Sequence, residues 1–244
     1  MENSRKYLPK YQEKWLPSGN LQYPDGVNIH YYPFSFGEIL KINQSNLDEI
    51  AMYNMMLEGV EIIGMPVEDL TFYDALYLGW RRKTASLGVS MLDIKSYCPN
   101  CDTTNITVFD LTELKYIDVE MKAMPAKTVI CGEELHFGFI TIKDYMELQS
   151  KDLHKDVLAV YAKSVTNRSY EEAYEIISSA MGNDVDKLET LNRILYHGVK
   201  PINVTCRGCG QEYAIRITDS SEVEILKPFR GEEVIIRDEI SFGD

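Results

Sequence analysis

"YCPNC", Tyr97 to Cys101, and "VTCRGC", Val204 to Cys209, decide the reading of this chain. Each holds two cysteines three positions apart, a spacing that lets a tight backbone turn aim two thiolates at one point. Each is flanked by runs with strand character. "VSMLDIKSY" precedes the first pair and "NITVFDL" follows it; "PINV" precedes the second and "YAIRI" follows it, alternating and rich in β-branched residues. Strand, knuckle, strand, twice over, predicts a zinc ribbon in which Cys98, Cys101, Cys206 and Cys209 enclose one Zn2+. Four ligands close the shell and leave no position for a substrate water, so the expected role of the metal is structural. Gly210 is suited to the positive φ that a knuckle needs after its second cysteine, and Asp102 holds the matching place in the first knuckle. A redox dithiol fits poorly, because such a motif opens a helix in a βαβ setting and here strands follow.

About a hundred residues separate the two pairs, so the ribbon must be split by an insertion. The insertion reads as three helices. Thr141 and Asp144 form a capping-box variant ahead of "IKDYMELQSKDLHKDVLAVYAKSV"; Ser169 and Glu172 form a second box, with Gly182 as the stop; Asn183 or Asp184 starts the third, with Leu188, Leu191 and Leu195 on one face and Gly198 at its end. The β segments within 89–140 and 200–226 are expected to share one ribbon sheet. Before them, "LPSGNLQYPDGVNIHYYPFSFGEI" carries turn signals around short aromatic strands, and helical patterns follow. In the last of these, Leu70, Tyr73, Leu76, Tyr77 and Trp80 form an apolar stripe that reads as core.

The expected fold class is therefore α+β: an N-terminal β-hairpin plus helices, and a split four-cysteine zinc-ribbon β domain interrupted by a three-helix insert. The expected boundaries are 1–88 for the N-terminal unit, 89–140 plus 200–230 for the ribbon, 141–199 for the insert and 231–244 for an acidic tail.

The remaining chemistry-bearing residues read as structural. Cys131 is expected to be a small buried apolar residue. His30, His136, His154 and His197 are scattered, which predicts capping or surface roles, with His197 at a helix end. "WRRK", Trp80 to Lys83, is a compact basic cluster; cations in the last turns of a helix suit its dipole, and partner binding is the alternative. No Ser-His-Asp order, glycine-rich phosphate loop or HExxH stands out, so an enzyme is not expected.

The chain has 244 residues and a net charge of -13. Such a charge opposes a sequence-independent grip on nucleic acid and favours partners with basic patches. The first ribbon half, Val89 to Ile140, itself holds eight acids against four lysines. No apolar run approaches the roughly 20 residues that span a bilayer, and the first residues have no apolar core of a secretory signal. A cytosolic site of synthesis is expected, where paired cysteines read as metal ligands before disulfides. The last stretch, "RGEEVIIRDEISFGD", mixes acids with Val234, Ile235, Ile236, Ile240 and Phe242. It reads as a frayed terminus, as a last strand on the chain's own sheet, or as a segment that orders on a neighbouring subunit.

These features together resemble a known family. "LPSGNLQYPDGVNIHYYPFSFGEILKI", then "LTFYDALYLGWRRKTASLG", then the paired knuckles with "GVKPINVTCRGCGQEYAIRI" and "LKPF", resemble the baseplate hub protein family of T-even-type contractile-tail bacteriophages. Asp74, Arg81 or Arg82, and Ser86 to Gly88 fall where that family's pattern has an Asp, a late Arg and a Ser-x-Gly turn; Leu87 stands where an aromatic is expected. The resemblance implies a structural component of the phage tail baseplate, made in the host bacterial cytoplasm and located in the virion. It implies other baseplate or tail proteins as partners, a homo-oligomer within the hub and no catalysis; the acidic charge, not the resemblance, argues against nucleic acid. It leaves open a second role, an assembly chaperone for the tape-measure protein that is absent from the virion. The zinc ribbon itself leaves open a third, a regulator that contacts nucleic acid or a polymerase.

Overall fold

The computed structural model describes residues 2–44, 47–87, 91–119, 124–215 and 234–235. Gly88 and "LKPF" lie outside the described residues, as does most of the 231–244 tail.

The N-terminal part is a three-stranded antiparallel sheet with helices packed on it. Strands β1 (Tyr11–Glu13), β2 (Asn28–Tyr31) and β3 (Val60–Ile63) lie in the order β1-β2-β3, with Tyr11 opposite Tyr31 and Tyr31 opposite Val60. Helices α1 (Phe36–Gln44) and α2 (Glu49–Glu58) form the crossover from β2 to β3, and α3 (Phe72–Leu87) follows. Asp48 caps α2 by accepting from the Ala51 N–H. The predicted stripe on α3 buries Leu70, Leu76 and Trp80 in the core, with Tyr73 and Tyr77 packed at its margin.

Strands β4 (Met91–Tyr97) and β5 (Thr104–Asp110) pair antiparallel across the first knuckle, and β8 (Ile202–Thr205) and β9 (Glu212–Ile215) across the second. Between them in the chain come the hairpin β6 (Ala126–Ile130) and β7 (Glu133–Phe137), then α4 (Ile142–Ser150), α5 (Val157–Ser164), α6 (Tyr170–Ser178) and α7 (Asn183–Leu195). A last short strand, β10 (Val234–Ile235), pairs parallel with β4, Val234 opposite Ile94. This is the own-sheet reading of that part of the tail.

The expected single ribbon sheet is replaced by separate ones: β10-β4-β5, β6-β7 and β8-β9. The cause lies in what each hairpin buries. Ile94, Val204 and Ile215 join the large core built on the N-terminal sheet, α2 and α3, which also takes Ile142 and Tyr145 of α4. Ala126, Ile130, Leu135 and Phe137 of β6–β7 instead face a second core made with α5, α6 and α7.

Both capping boxes read from the sequence are formed, Thr141 with Asp144 and Ser169 with Glu172. The first predicted helix of the insert is two helices. It breaks after Ser150, where Asp152 takes a φ of 57°, and restarts at Asp156, which caps α5 by accepting from the Leu158 and Ala159 N–H groups. Cys131 is exposed, contrary to expectation. It and Gly132 are the two loop residues of the β6–β7 hairpin, with φ of 51° and 85°, a type I′ geometry that holds the side chain outside the sheet.

Candidate metal centre and a buried polar network

The two knuckles are near copies of one another. In the first, the Asp102 N–H donates to the Cys98 carbonyl at 2.9 Å and the Cys98 N–H to the Thr103 carbonyl at 3.0 Å. In the second, Gly210 donates to Cys206 at 2.8 Å and Cys206 to Gln211 at 2.8 Å. Asp102 has a φ of 55° and Gly210 a φ of 76°, the left-handed positions expected for them. This turn folds the second cysteine of each pair back over the first.

The structure brings Cys98, Cys101, Cys206 and Cys209 together, with all four Sγ atoms within 4.8 Å of one another. Two contacts cross between the knuckles, Cys98 to Cys209 and Cys101 to Cys206, each at 3.6 Å. All four are free thiols. Four thiolates about 2.3 Å from a shared ion sit about 3.8 Å apart in a tetrahedron, so the cluster can hold a metal ion. Cys98 and Cys206 are buried and Cys101 and Cys209 exposed, so the centre lies at the surface with one thiolate of each pair inside.

Groups around the sulfurs prepare the site unequally. Burial pushes the Cys98 thiol up to about 11. The Cys209 N–H holds Cys206 down to about 6, helped by the Gly208 N–H at 3.3 Å from its sulfur. The Gln211 N–H lowers Cys209. Buried Asn105 clamps the knuckles together: its Nδ2 lies 3.7 Å from Cys206 Sγ and donates to the Thr103 carbonyl, and its Oδ1 accepts from the Arg207 N–H at 3.0 Å. Gly208 is required by proximity. A Cβ there would lie 2.4 Å from Thr103 Oγ1 of the other knuckle. Neither Asn105 nor Gly208 was singled out in the sequence; for Gly208 its place between the two cysteines of a knuckle could have marked it, and for Asn105 there was no such signal.

The other candidates go elsewhere. "WRRK" is not an exposed patch. Arg82 is fully buried and Lys83 nearly so, while Arg81 reaches Glu13 at 3.1 Å. Burial lowers the Lys83 amine to about 7. His197 is also buried rather than capping a surface helix end: its Nδ1 lies 2.8 Å from the Leu195 carbonyl and its Nε2 3.0 Å from Thr71 Oγ1. His136 meets Glu134 at 2.7 Å on the surface.

The short motifs that carried the resemblance interlock inside the N-terminal core. Ser18 of "LPSG" donates to Asp74 from its N–H at 2.9 Å and its hydroxyl at 2.6 Å, and Tyr23 of "QYPDG" donates to the same carboxylate. Glu38 of "FGE" pairs with Arg82, and Ser86 accepts from the Phe34 N–H while donating to the Arg82 carbonyl. Each polar motif residue is thus the partner of another.

A family model described as T4 bacteriophage base plate protein matches residues 8–223, a span that contains both knuckles and this network. The chain belongs to that family. No curated protein and no solved structure matches it. The family places the chain among proteins of the phage tail, with other tail proteins as partners. Among the described residues no helix is long and apolar enough to cross a membrane.

Proposed function

We propose that this chain is a non-enzymatic structural protein of the baseplate hub, stapled by one structural Zn2+ on Cys98, Cys101, Cys206 and Cys209. The family match carries this reading, because the span it covers encloses the four-thiolate cluster. All-sulfur donors favour a thiophilic ion, and the tetrahedral spacing fits zinc. The ion would supply no reaction step. It would fix β4–β5 against β8–β9, two hairpins whose knuckles are joined otherwise by Asn105. Structural zinc contributes about 10–16 kcal/mol of apparent binding energy in small metal-dependent domains, so the staple would replace sheet area that these short hairpins lack.

The work of the protein would then be to hold partners in a fixed geometry. Elemental analysis of the purified chain tests the metal: one zinc per chain is expected, lost in Cys206→Ser and kept in Cys131→Ser. Mass spectrometry of purified virions tests the hub role. A fixed stoichiometry is expected; presence in infected cells with absence from particles would replace the hub role by that of a tape-measure chaperone.

A further inference from the structure

The N-terminal edge of the molecule has a chemistry unlike the rest. Between residues 5 and 15 lie four cations, Arg5, Lys6, Lys10 and Lys14, against the single acid Glu13, in a chain of net charge -13. Tyr7, Tyr11 and Trp15 of the same segment are exposed, Trp15 by 49%. Its strand β1 pairs only with β2 and forms the outer edge of the N-terminal sheet among the described residues. An edge strand presents unpaired N–H and C=O groups, which extended chains use to add a strand.

A cavity adjoins this edge. It has a volume of about 110 Å³ and is walled by Trp15, Tyr77, Trp80, Arg81, Leu114 and Tyr116 among others. It is smaller than the ~150 Å³ apolar cavity that admits benzene, and Arg81, Thr84 and Thr112 stand among its aromatic walls, so it suits the end of one side chain. Trp15 stands at its rim, edge-on to Tyr77 and Tyr116 at 5.6 and 5.9 Å. Trp80 is buried in the wall, and its indole Nε1 has no hydrogen-bond partner among the described residues.

We propose that β1 and this cavity form a docking site for an extended acidic segment of a neighbouring tail protein. The segment adds a strand outside β1, its acids meet Lys10, Lys14 and Arg81, and the end of one apolar side chain enters beside Trp15. Lys14 forms no ion pair among the described residues and is open to a partner, whereas Lys10 already reaches Glu61 at 2.6 Å and Arg81 reaches Glu13, so both would be shared. Nucleic acid would also meet cations and aromatic rings here, but a polynucleotide cannot satisfy the hydrogen-bonding groups of a strand edge. The inference does not depend on the metal site.

The chain contains two tryptophans, Trp15 and Trp80, and both border the cavity, so intrinsic fluorescence reports on this site. The probe is the designed peptide Glu-Ile-Glu-Phe-Glu, with Lys-Ile-Lys-Phe-Lys and an N-methylated acidic version as controls, titrated into the full chain at low salt. The acidic peptide is expected to shift the emission saturably. Affinity is expected to fall at least tenfold for the basic peptide, for the N-methylated peptide and for Lys14→Glu, whose exposed side chain leaves the fold intact. Equal binding of acidic and basic peptides would overturn the proposal. So would tighter binding of an oligothymidylate, or a requirement that residues 236–244 first be deleted, which would make the chain's own tail the occupant.

Discussion

Arg82 Nη2 lies 2.9 Å from Glu38 Oε1, and the guanidinium is completely excluded from solvent. Its other nitrogens donate to the carbonyls of Tyr32, Met55 and Met56, and its Cζ stands 4.1 Å from the centre of the Phe34 ring. One cation thus ties the start of α1, the end of α2 and the exit of β2 to α3. Gly59 makes room for it, since a Cβ there would lie 2.1 Å from Arg82 Cζ. A planar group with fixed donors suits this cluster of acceptors, and an ammonium does not.

Arg82→Met is therefore expected to destabilise the chain by about 3–5 kcal/mol, because Glu38 and three carbonyls lose their donor. Urea denaturation checks this. Arg82→Lys should recover only a minor part. The pair also sets an acid limit. Burial raises the Glu38 carboxyl, but the Ser35 N–H and Arg82 outweigh it and hold the group below its usual value. The unfolded chain then binds the proton first, so this contribution is present above about pH 4.5 and is lost as pH falls through the folded value. Glu38→Gln should flatten the stability curve in that acid range.

The glycine between the second pair of cysteines is a sharper probe of the metal centre than the cysteines, because it removes no ligand. Gly208→Val places side-chain atoms where Thr103 Oγ1 stands and forces the knuckles apart. Metal affinity, measured by chelator competition, is expected to fall roughly 10–100-fold, the range for lost supporting groups. Adding Thr103→Ala should restore part of it. Unchanged affinity would show that the knuckles do not need this approach.

How far these features were legible depends on the distance over which their cause acts. The four cysteines were legible because a knuckle is local: three-residue spacing, a left-handed residue and flanking strands all lie in one window. The capping boxes of Thr141 and Ser169 were legible for the same reason. The break between α4 and α5 was not, since Asp152 and Asp156 are also acceptable on an exposed helix face. Arg82 looked like part of a basic helix end because its acceptors lie 26, 27 and 50 residues away in the chain. Gly208 is constrained by Thr103, more than a hundred residues distant. The short motifs held this long-range information unread: Ser18 and Asp74, and Glu38 and Arg82, lie in separate motifs and are each other's partners in the fold.

Lys83 is a buried amine whose titration the fold moves. Burial alone lowers its amine to about 7, well under the usual lysine value. The unfolded chain binds this proton up to a much higher pH than the folded chain, so stability rises as pH increases from about 7 toward the unfolded lysine value near 10.5. Lys83→Met cannot titrate and is expected to remove that rise. Paired denaturation curves at pH 7 and pH 9.5 test this; a rise of the same size in Lys83→Met would show that another group causes it.

His197 should act in a lower window and with the same sign. The Leu195 carbonyl can only accept, so Nδ1 carries the proton and Nε2 accepts from the Thr71 hydroxyl. The ring is packed on Phe139 at 4.4 Å and on Tyr73 at 5.0 Å. Burial lowers its pKa below the free value of 6.5, against the pull of Asp74 and the Leu195 carbonyl toward the charged form. Below about pH 6.5 the unfolded chain gains a proton that the folded chain refuses, and stability declines until the folded value is passed. His197→Gln can still hydrogen-bond Thr71 but cannot titrate. The rest of the chain is common to both proteins, so the informative quantity is the stability difference between wild type and variant. That difference should shrink or reverse in favour of the variant from pH 7.5 to 5.5. A difference independent of pH would mean that His197 folds with its charge, and the neutral Thr71–His197–Leu195 chain would be the wrong description of this part of the core.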